Sequence, residues 1–448
     1  MASEAASAAR SEGSERSPVG VGLVGLGTVG SGVLRVLRDH AAEIDARLGF
    51  PLRLSHVADL ELARVQDLIP AGVAQSRDWK AVVADPSVAV VVELIGGTGV
   101  AREVVLAALA AGKGVVTANK ALLARHGAQI HEAAERSGSE ILFEASVAGT
   151  IPVLRALREG LCADRILSLH GIVNGTCNFI LSEMDTHGEP YAACLKRAQD
   201  LGYAEADPSA DVDGGDSAHK LAILVGLALG LRADVEKIPT RGIRSIDPLD
   251  LDYARRFGFR IKLLASAKRS EGGVEARVEP VMIPEQSVLA RVDGSLNALE
   301  VKGELSGPTL YCGAGAGSLP TASAVVADVM ELARSRRRGP GIRVPPLGTT
   351  DLREAVLRAP GDSEGEFYLR FSVVDEPGVL HAITGVLSRF GISIASILQP
   401  ERHQERNVPV VIVTHETKES ELRSAVAEIE RLPSTSAGTQ VLRIEREL

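Results

Sequence analysis

The densest concentration of groups able to move protons is the stretch Leu201–Lys220. Its acids Glu205, Asp207, Asp211, Asp213 and Asp216 fall within twelve residues, ahead of a very apolar run that starts at Leu221. Such a cluster suggests a calcium loop, but the spacing fails. That loop needs glycine at its sixth position and a closing Glu, whereas glycine stands fourth from Asp211 and no Glu closes the segment. Asp216 and Lys220 are four residues apart across the expected start of a helix, so they share a face. Two readings stand side by side. One is a surface ion pair of little energetic worth. The other is an ammonium held ready for proton transfer, with carboxylates positioning it or a substrate amine.

Other reactive constellations are missing. His131-Glu-Ala-Ala-Glu135 lacks the second histidine of a zinc-protease helix, Gly112-Lys-Gly114 is no phosphate loop, and there is no GxSxG elbow. Cys162, Cys177, Cys194 and Cys312 form no CxxC and no zinc-like spacing with histidine. Free thiols in a reducing compartment are the simplest reading.

A second region is suited to binding. The apolar run Val19–Leu26 leads into Gly25-Leu-Gly27-Thr-Val-Gly30, and a helical pattern carrying Val33, Leu34, Val36 and Leu37 follows. Strand, glycine turn and helix is the context in which three glycines signify a dinucleotide. The turn brings the first helical amides, at Thr28, Val29 and Gly30, to a pyrophosphate. A second strand is expected at Leu52–Ala58, with Asp59 at its end. An acid there can hold ribose hydroxyls; a solvated Asp opening a helix carries equal weight.

The elements that must position these groups alternate at first. Val88–Leu94 reads as a parallel strand buried on both faces. Helix 101–111, strand Gly114–Thr117, helix 121–137 and strand 140–144 follow, which predicts a doubly wound α/β domain. From about Ile151 the rhythm changes to an α+β pattern, with helices at 191–201 and 217–231 among strands such as 166–173. A helical stretch at 318–337 is expected to return to the first domain. Prolines 340, 345, 346 and 360 give linker composition, and a new strand opens at Phe367. The division is a disordered tail at 1–17, a dinucleotide-binding domain at 18–150, a second domain at 151–317, a linker at 338–364 and a last domain at 365–448. Aromatics are 3% of the chain, so base-stacking surfaces are not expected. The net charge of −9 implies no affinity for polyanions. The first residues lack the apolar core of a secretory signal, and the run Leu221–Leu231 is too short to span a bilayer. A cytoplasmic protein without nucleic-acid or membrane partners is the expectation.

Taken in order, several segments resemble homoserine dehydrogenases over roughly residues 19–335. They are the glycine loop, Glu93-Leu-Ile-Gly-Gly, Thr117-Ala-Asn-Lys120, Asn174-Gly-Thr, Leu201-Gly-Tyr-Ala-Glu-Ala-Asp-Pro, Asp216–Lys220 and Gly313-Ala-Gly-Ala-Gly. The resemblance implies an α/β protein with a Rossmann-type dinucleotide-binding domain and an α+β catalytic and dimerisation domain. It implies reversible NAD(P)H-dependent reduction of aspartate semialdehyde to homoserine, on the route to threonine, methionine and isoleucine. Lys220 would be the general acid and Lys120 would lie near nicotinamide and substrate. Glu205 would bind the substrate amine, and Asp211 and Asp216 would hold the substrate and Lys220. Thr98 and Gly315 would join Gly25, Gly27, Thr28, Val29, Gly30, Asp59 and Lys120 around the cofactor. A monovalent cation, sodium, would sit on Glu144, through its carboxylate or carbonyl, and on the carbonyls of Val147, Gly149 and Ile151. One departure bears on the cofactor. Many relatives carry Arg just before the acid that ends the second strand, and here that position is Ala58. NAD use, or dual use with NADP, is therefore expected.

Phe367–Leu380, with Asp375-Glu-Pro377-Gly378-Val379-Leu380, and Phe390-Gly-Ile-Ser-Ile resemble a βαββαβ ACT domain. The resemblance implies pairing across chains, in a homodimer or homotetramer, and threonine bound at the turn from Asp375 to Leu380. An ACT domain kept only for dimerisation remains open. Aspartate semialdehyde dehydrogenase is a competing reading, but its thioester chemistry needs a cysteine paired with histidine, and no cysteine here has such a setting. A catalytically silent amino-acid sensor would lack Lys220 or Glu205, and both are present.

Overall fold

The computed structural model describes residues 17–339, 341–350, 352–399 and 407–448. The tail expected at 1–17 lies outside them except for Ser17. The chain divides into two units. One comprises Met1–Asp164, Ala222–Val235 and Gly313–Arg353, the other Arg165–Leu221, Glu236–Cys312 and Glu354–Leu448.

The first unit is organised by short strands with no polar face. β1 (Val19–Val24) is buried at every position, as are β4 (Val90–Glu93) and β5 (Gly114–Thr117). Strands this apolar must be covered on both sides. With β2 (Leu52–Ala58), β3 (Ala74–Ser76) and β6 (Ile141–Leu142) they form a parallel sheet in the order β3-β2-β1-β4-β5-β6. That order has its switch point between β1 and β4, where doubly wound sheets bind ligands. Helix α1 (Thr28–Asp39) follows β1, α2 (Val100–Ala110) follows β4, and α3 (Lys120–Ser137) follows β5. The long helix Ser318–Arg338 adds Ala322, Val325, Val326 and Val329 to the core that holds Val21, Leu23 and Val33. Its approach to α1 depends on Gly32, where a Cβ would stand 2.7 Å from the Ser318 carbonyl oxygen. The expected strand 140–144 is cut to two residues. The Glu144 amide donates instead to Asp328 Oδ2 at 2.8 Å, and Glu144–Ser146 forms a 3₁₀ turn.

The second unit is built on one ten-stranded mixed sheet. Its strands are β7 (Ile166–Ile172), β8 (Phe259–Ser270), β9 (Gly273–Pro284), β10 (Leu296–Gly303), β11 (Gly307–Ala314), β12 (Glu364–Val374), β13 (Ile394–Leu398), β14 (Asn407–Thr414), β15 (Thr417–Lys418) and β16 (Thr435–Ile444). The order is β11-β10-β7-β8-β9-β16-β12-β14-β13, and β15 pairs with β12. Strands β7–β11 and the strands of a βαββαβ module thus share a sheet, joined by the parallel pair β9/β16 at Val281↔Arg443 and Met282↔Ile444. Helices α4 (Gly175–His187) and α6 (Pro248–Arg256), and α5 (Gly215–Leu229) as far as Leu221, belong to this unit outside the module; α7 (Val379–Arg389) and α8 (Glu419–Ile429) belong to the module. Ile383, Val386, Leu387, Leu422, Ala425 and Ile429 cover Phe367, Leu369, Phe371, Val410 and Ile412.

Two buried ionic clusters reinforce the join. Asp250 on α6 is fully buried and receives Arg370 Nε at 2.6 Å, Arg370 NH2 at 2.9 Å and the Tyr368 hydroxyl at 3.0 Å. Glu419 on α8 receives Arg277 of β9 at 3.0 Å and Arg443 of β16 at 2.6 Å. Burial by itself would raise the Glu419 carboxyl. The guanidinium groups of Arg423, Arg443 and Arg277 outweigh it and hold the group down to about 2. An acid depressed in this way stabilises the fold above its unfolded value near 4.5 and loses that contribution as pH falls toward 2. Glu419→Gln should therefore lower the Tm most at neutral pH. The gap from wild type should close between about pH 4.5 and 2 in scanning calorimetry; a gap independent of pH would show that the charge is not what matters.

Candidate active site

In the first unit the glycine loop has the shape a pyrophosphate needs. Gly25 sits at φ +93°, a left-handed conformation that a side chain resists. A Cβ on Gly30 would stand 2.1 Å from the Gly25 carbonyl oxygen, while a Cβ on Gly27 would meet nothing within 4 Å. The turn is therefore closed on its inner side and open at Gly27. No side chain caps α1, whose Ncap is Gly27, so the first-turn amides of Thr28, Val29 and Gly30 keep their capacity for an anion. Asp59 does more than end a strand. Its Oδ2 accepts the Leu26 amide at 2.6 Å and its Oδ1 the Glu61 amide at 2.8 Å. The carboxylate thus braces the loop from β2.

A network that joins two of the segments singled out in the sequence, the one at Glu93 and the one from Thr117 to Lys120, fixes the ends of β4 and β5. Glu93 is fully buried; its Oε1 accepts the Ile95 amide at 2.8 Å and its Oε2 the Thr117 hydroxyl at 2.6 Å. Burial raises this carboxyl above its ordinary range. Thr117 Oγ1 accepts the Asn119 amide at 3.0 Å. Asn119 donates to the Gly97 carbonyl at 2.6 Å and caps α3 by accepting the Leu122 amide at 3.0 Å. Lys120 is the first residue of that helix, and half-buried Thr98 follows the tethered Gly97. The signal was the polar pair Thr117 and Asn119 at the end of an all-apolar strand, which points to a held loop.

The segment expected to take a cation has an unusual backbone. Ala148 (φ +56°) and Gly149 (φ +60°) are consecutive left-handed residues, and Ala148 is the one such non-glycine among the described residues. A Cβ on Gly149 would strike the Gly315 carbonyl at 2.5 Å, so Gly315 abuts this turn. Both Glu144 carboxyl oxygens are engaged, at 2.8 Å each, by the Leu154 and Arg155 amides. The Ile151 carbonyl accepts the Val153 amide at 2.7 Å. Among the described residues no three His, Cys, Asp or Glu side chains come together to hold a metal.

In the second unit the acidic stretch separates by function. Lys220 is 9% exposed and Asp216 7%. The Lys220 ammonium lies 2.7 Å from Asp216 Oδ2 and donates to the Val173 carbonyl at 2.6 Å. The shared helix face expected from the four-residue spacing is thus realised in α5. Asp211 joins the group through Asn174, whose amide donates to Asp211 Oδ1 at 2.7 Å and Asp216 Oδ2 at 3.0 Å. The remaining acids point elsewhere. Asp213 pairs with Arg244, Asp207 accepts the amide and hydroxyl of Ser209, and the Glu205 side chain is exposed. Cys177 is fully buried beside this cluster, donates to the Asp211 carbonyl at 3.2 Å, and has its thiol pushed well up by burial. That rules it out as a ready nucleophile.

Comparison with known proteins decides the family. The model of the homoserine dehydrogenase NAD-binding domain matches residues 25–144, that of homoserine dehydrogenase residues 152–330, and that of the ACT domain residues 367–434. The chain is 45% identical to the homoserine dehydrogenase of Neisseria gonorrhoeae over 96% of its own length and 99% of the relative's. The Pseudomonas aeruginosa enzyme gives the same identity over the same shares. The chain belongs to the homoserine dehydrogenase family. The crystal structure of a homoserine dehydrogenase from Thiobacillus denitrificans matches with a TM-score of 0.91 and 45% identity, covering 96% of this chain and 99% of that one. A hyperthermophilic archaeal member solved with NADPH matches at 25% identity and a TM-score of 0.61, over 73% of this chain. The chain is accordingly an oxidoreductase with a nicotinamide-cofactor domain and a C-terminal ACT domain. Among the described residues no helix is long and apolar enough to cross a membrane.

Within this family the glycine turn can be tested alone. Gly30→Ala forces a Cβ against the Gly25 carbonyl, so the affinity for NADH and NADPH should fall roughly tenfold or more in a fluorescence titration. Unchanged binding would remove the turn as the pyrophosphate cradle.

Proposed function

We propose that the protein reduces L-aspartate 4-semialdehyde to L-homoserine, reversibly, with Lys220 as the proton donor. The observation that carries the reading is the buried ammonium of Lys220, held at 2.7 Å by Asp216 and at 2.6 Å by the Val173 carbonyl. A bound nicotinamide supplies the hydride for the aldehyde carbon. Lys220 polarises the carbonyl and passes a proton to its oxygen; in the reverse direction it takes the hydroxyl proton. Asp216 keeps the ammonium in place, and Asp211 shares with it the orientation of Lys220 and the substrate. Exposed Glu205 receives the substrate's ammonium group. Lys120, fixed at the start of α3 by the Asn119 cap, supplies a second cation near the nicotinamide. The residues present fit a dinucleotide on Gly25, Gly27, Thr28, Val29 and Gly30, with Asp59, Thr98 and Gly315 around it. Because no Arg precedes Asp59, NADH serves as well as or better than NADPH.

A monovalent cation, sodium, fits the turn after β6. The carbonyls of Val147 and Gly149 accept no backbone hydrogen bond among the described residues, and the left-handed turn between them frees both. Ile151 adds a carbonyl. Glu144 would contribute its carbonyl, because its carboxylate is committed to Leu154 and Arg155. Hard oxygen donors suit such an ion.

The ACT module is read as a threonine sensor. Gly378, at φ +93°, is the Ncap of α7 without a side-chain cap, which leaves amide capacity for a carboxylate. Val379 packs into the module's core while Leu380 is exposed at 38%, so Asp375, Pro377, Gly378 and Leu380 form the accessible part of the turn. The assembly is a homodimer or homotetramer acting in the cytoplasm.

Lys220→Ala should lower kcat roughly a hundredfold or more, with cofactor binding intact, in an assay of NADH and NADPH oxidation with aspartate semialdehyde. Threonine should inhibit the wild type and fail to inhibit Gly378→Val. A Lys220→Ala variant that turns over normally would sink the acid assignment; threonine indifference in the wild type would sink the sensor.

A further inference from the structure

Asn174 sits at an unusual junction. It is 5% exposed and occupies the Ncap of α4. Its Oδ1 accepts the Cys177 amide at 2.9 Å, which fixes which end of the side chain is the carbonyl. The Nδ2 group must then face the opposite way, and it meets two carboxylates, Asp211 Oδ1 at 2.7 Å and Asp216 Oδ2 at 3.0 Å. Both of its protons are used. The Asp216 oxygen it contacts is the same one that holds Lys220 at 2.7 Å. The preceding residue, Val173, supplies the other acceptor for that ammonium. Residues 173 and 174 therefore control Lys220 from two sides, one through a backbone carbonyl and one through a side-chain amide.

The arrangement answers an electrostatic problem. Two carboxylates within reach of one nitrogen repel each other, and one of them would take up a proton if left alone. Lys220 has three donors; with one on Val173 and one on Asp216, a bond to Asp211 would spend the last and leave none for the substrate. A neutral amide with two donors stabilises both carboxylates in their charged form and leaves the ammonium directed. We infer that Asn174 is a positioning residue for the reaction: its amide keeps Asp211 and Asp216 in place as charged acceptors, and so holds Lys220 aimed. This rests on the reading of Lys220 as the proton donor. Asp in place of Asn174 would keep the helix cap but add a third carboxylate where two already crowd.

The cap and the donor roles separate cleanly by substitution. Asn174→Ser retains an Ncap oxygen for the Cys177 amide but cannot reach both carboxylates. Asn174→Ala loses both roles. Each is measured alongside Lys220→Ala for kcat, KM for both substrates, pH profile and Tm. The expected result is a kcat lower by roughly ten- to hundredfold in Asn174→Ser, with unchanged KM for the nicotinamide and a Tm close to wild type. The acid limb of its kcat profile should move to higher pH, because carboxylates without the amide protonate more readily. Asn174→Asp should be at least as impaired. Were Asn174→Ser to turn over like wild type while Lys220→Ala is inactive, the cap alone would explain the residue and the inference would fall. A slowed Asn174→Ser with an unshifted pH profile would overturn it too, since packing would suffice. An active Lys220→Ala would overturn both the inference and the reading beneath it.

Discussion

A buried lysine ammonium needs partners in place of the water it has lost, and Lys220 is buried. Burying an ion is costly unless partners replace its hydration. At Lys220 those partners are Asp216 and the carbonyl of Val173, and everything around them serves to keep them there. The helix that carries Asp216 and Lys220 sets their spacing. The end of β7 sets the carbonyl. Asn174, where β7 passes into α4, ties the two together and recruits Asp211. The catalytic portion of the sheet is thus organised around one charge that has to be held without being neutralised.

The nucleotide-binding unit answers the complementary need, to leave places where charge and backbone polarity stay available. Its strands are so apolar that polar groups gather at their ends. There Glu93, Thr117 and Asn119 bind one another, while Asp59 braces the glycine turn. These side chains satisfy each other and the loops they tether, so the first-turn amides of α1 remain uncapped. The turn at Ala148 and Gly149 follows the same logic with carbonyls, leaving those of Val147 and Gly149 without a backbone donor among the described residues, in a conformation that costs some strain.

Much of this was legible in the residues. The limits expected for β2 and β5 are the ones observed, and the facing of Asp216 and Lys220 followed from helical spacing. What was not legible has physical reasons. α4 is buried on nearly all sides from Thr176 to Leu181, so it has no amphipathic period to read, and its Asn-Gly start resembles a turn. The five acids of the 205–216 stretch look alike in sequence, and only long-range partners, Asn174 for two of them and Arg244 for a third, sort them. The contact of Asp250 with Arg370 spans 120 positions, and no local pattern announces such a pair. The strand expected at 140–144 failed because Asp328, far along the chain, claims the Glu144 amide.

The sheet shared by the catalytic strands and the ACT strands also bears on modularity. Domains strung on a linker can be exchanged, lost or acquired at small structural cost, because each keeps a complete hydrogen-bonded perimeter. Here β9 finds its outer neighbour in β16, the last strand of the ACT fold. Removing that fold would leave an open strand edge in the catalytic half, with amides and carbonyls facing nothing, and such edges recruit other chains. It would also strand the carboxylate of Asp250 without its guanidinium. The ACT half shares its sheet with the rest of that unit, and the boundary in the sequence is not a boundary in the hydrogen-bonded structure.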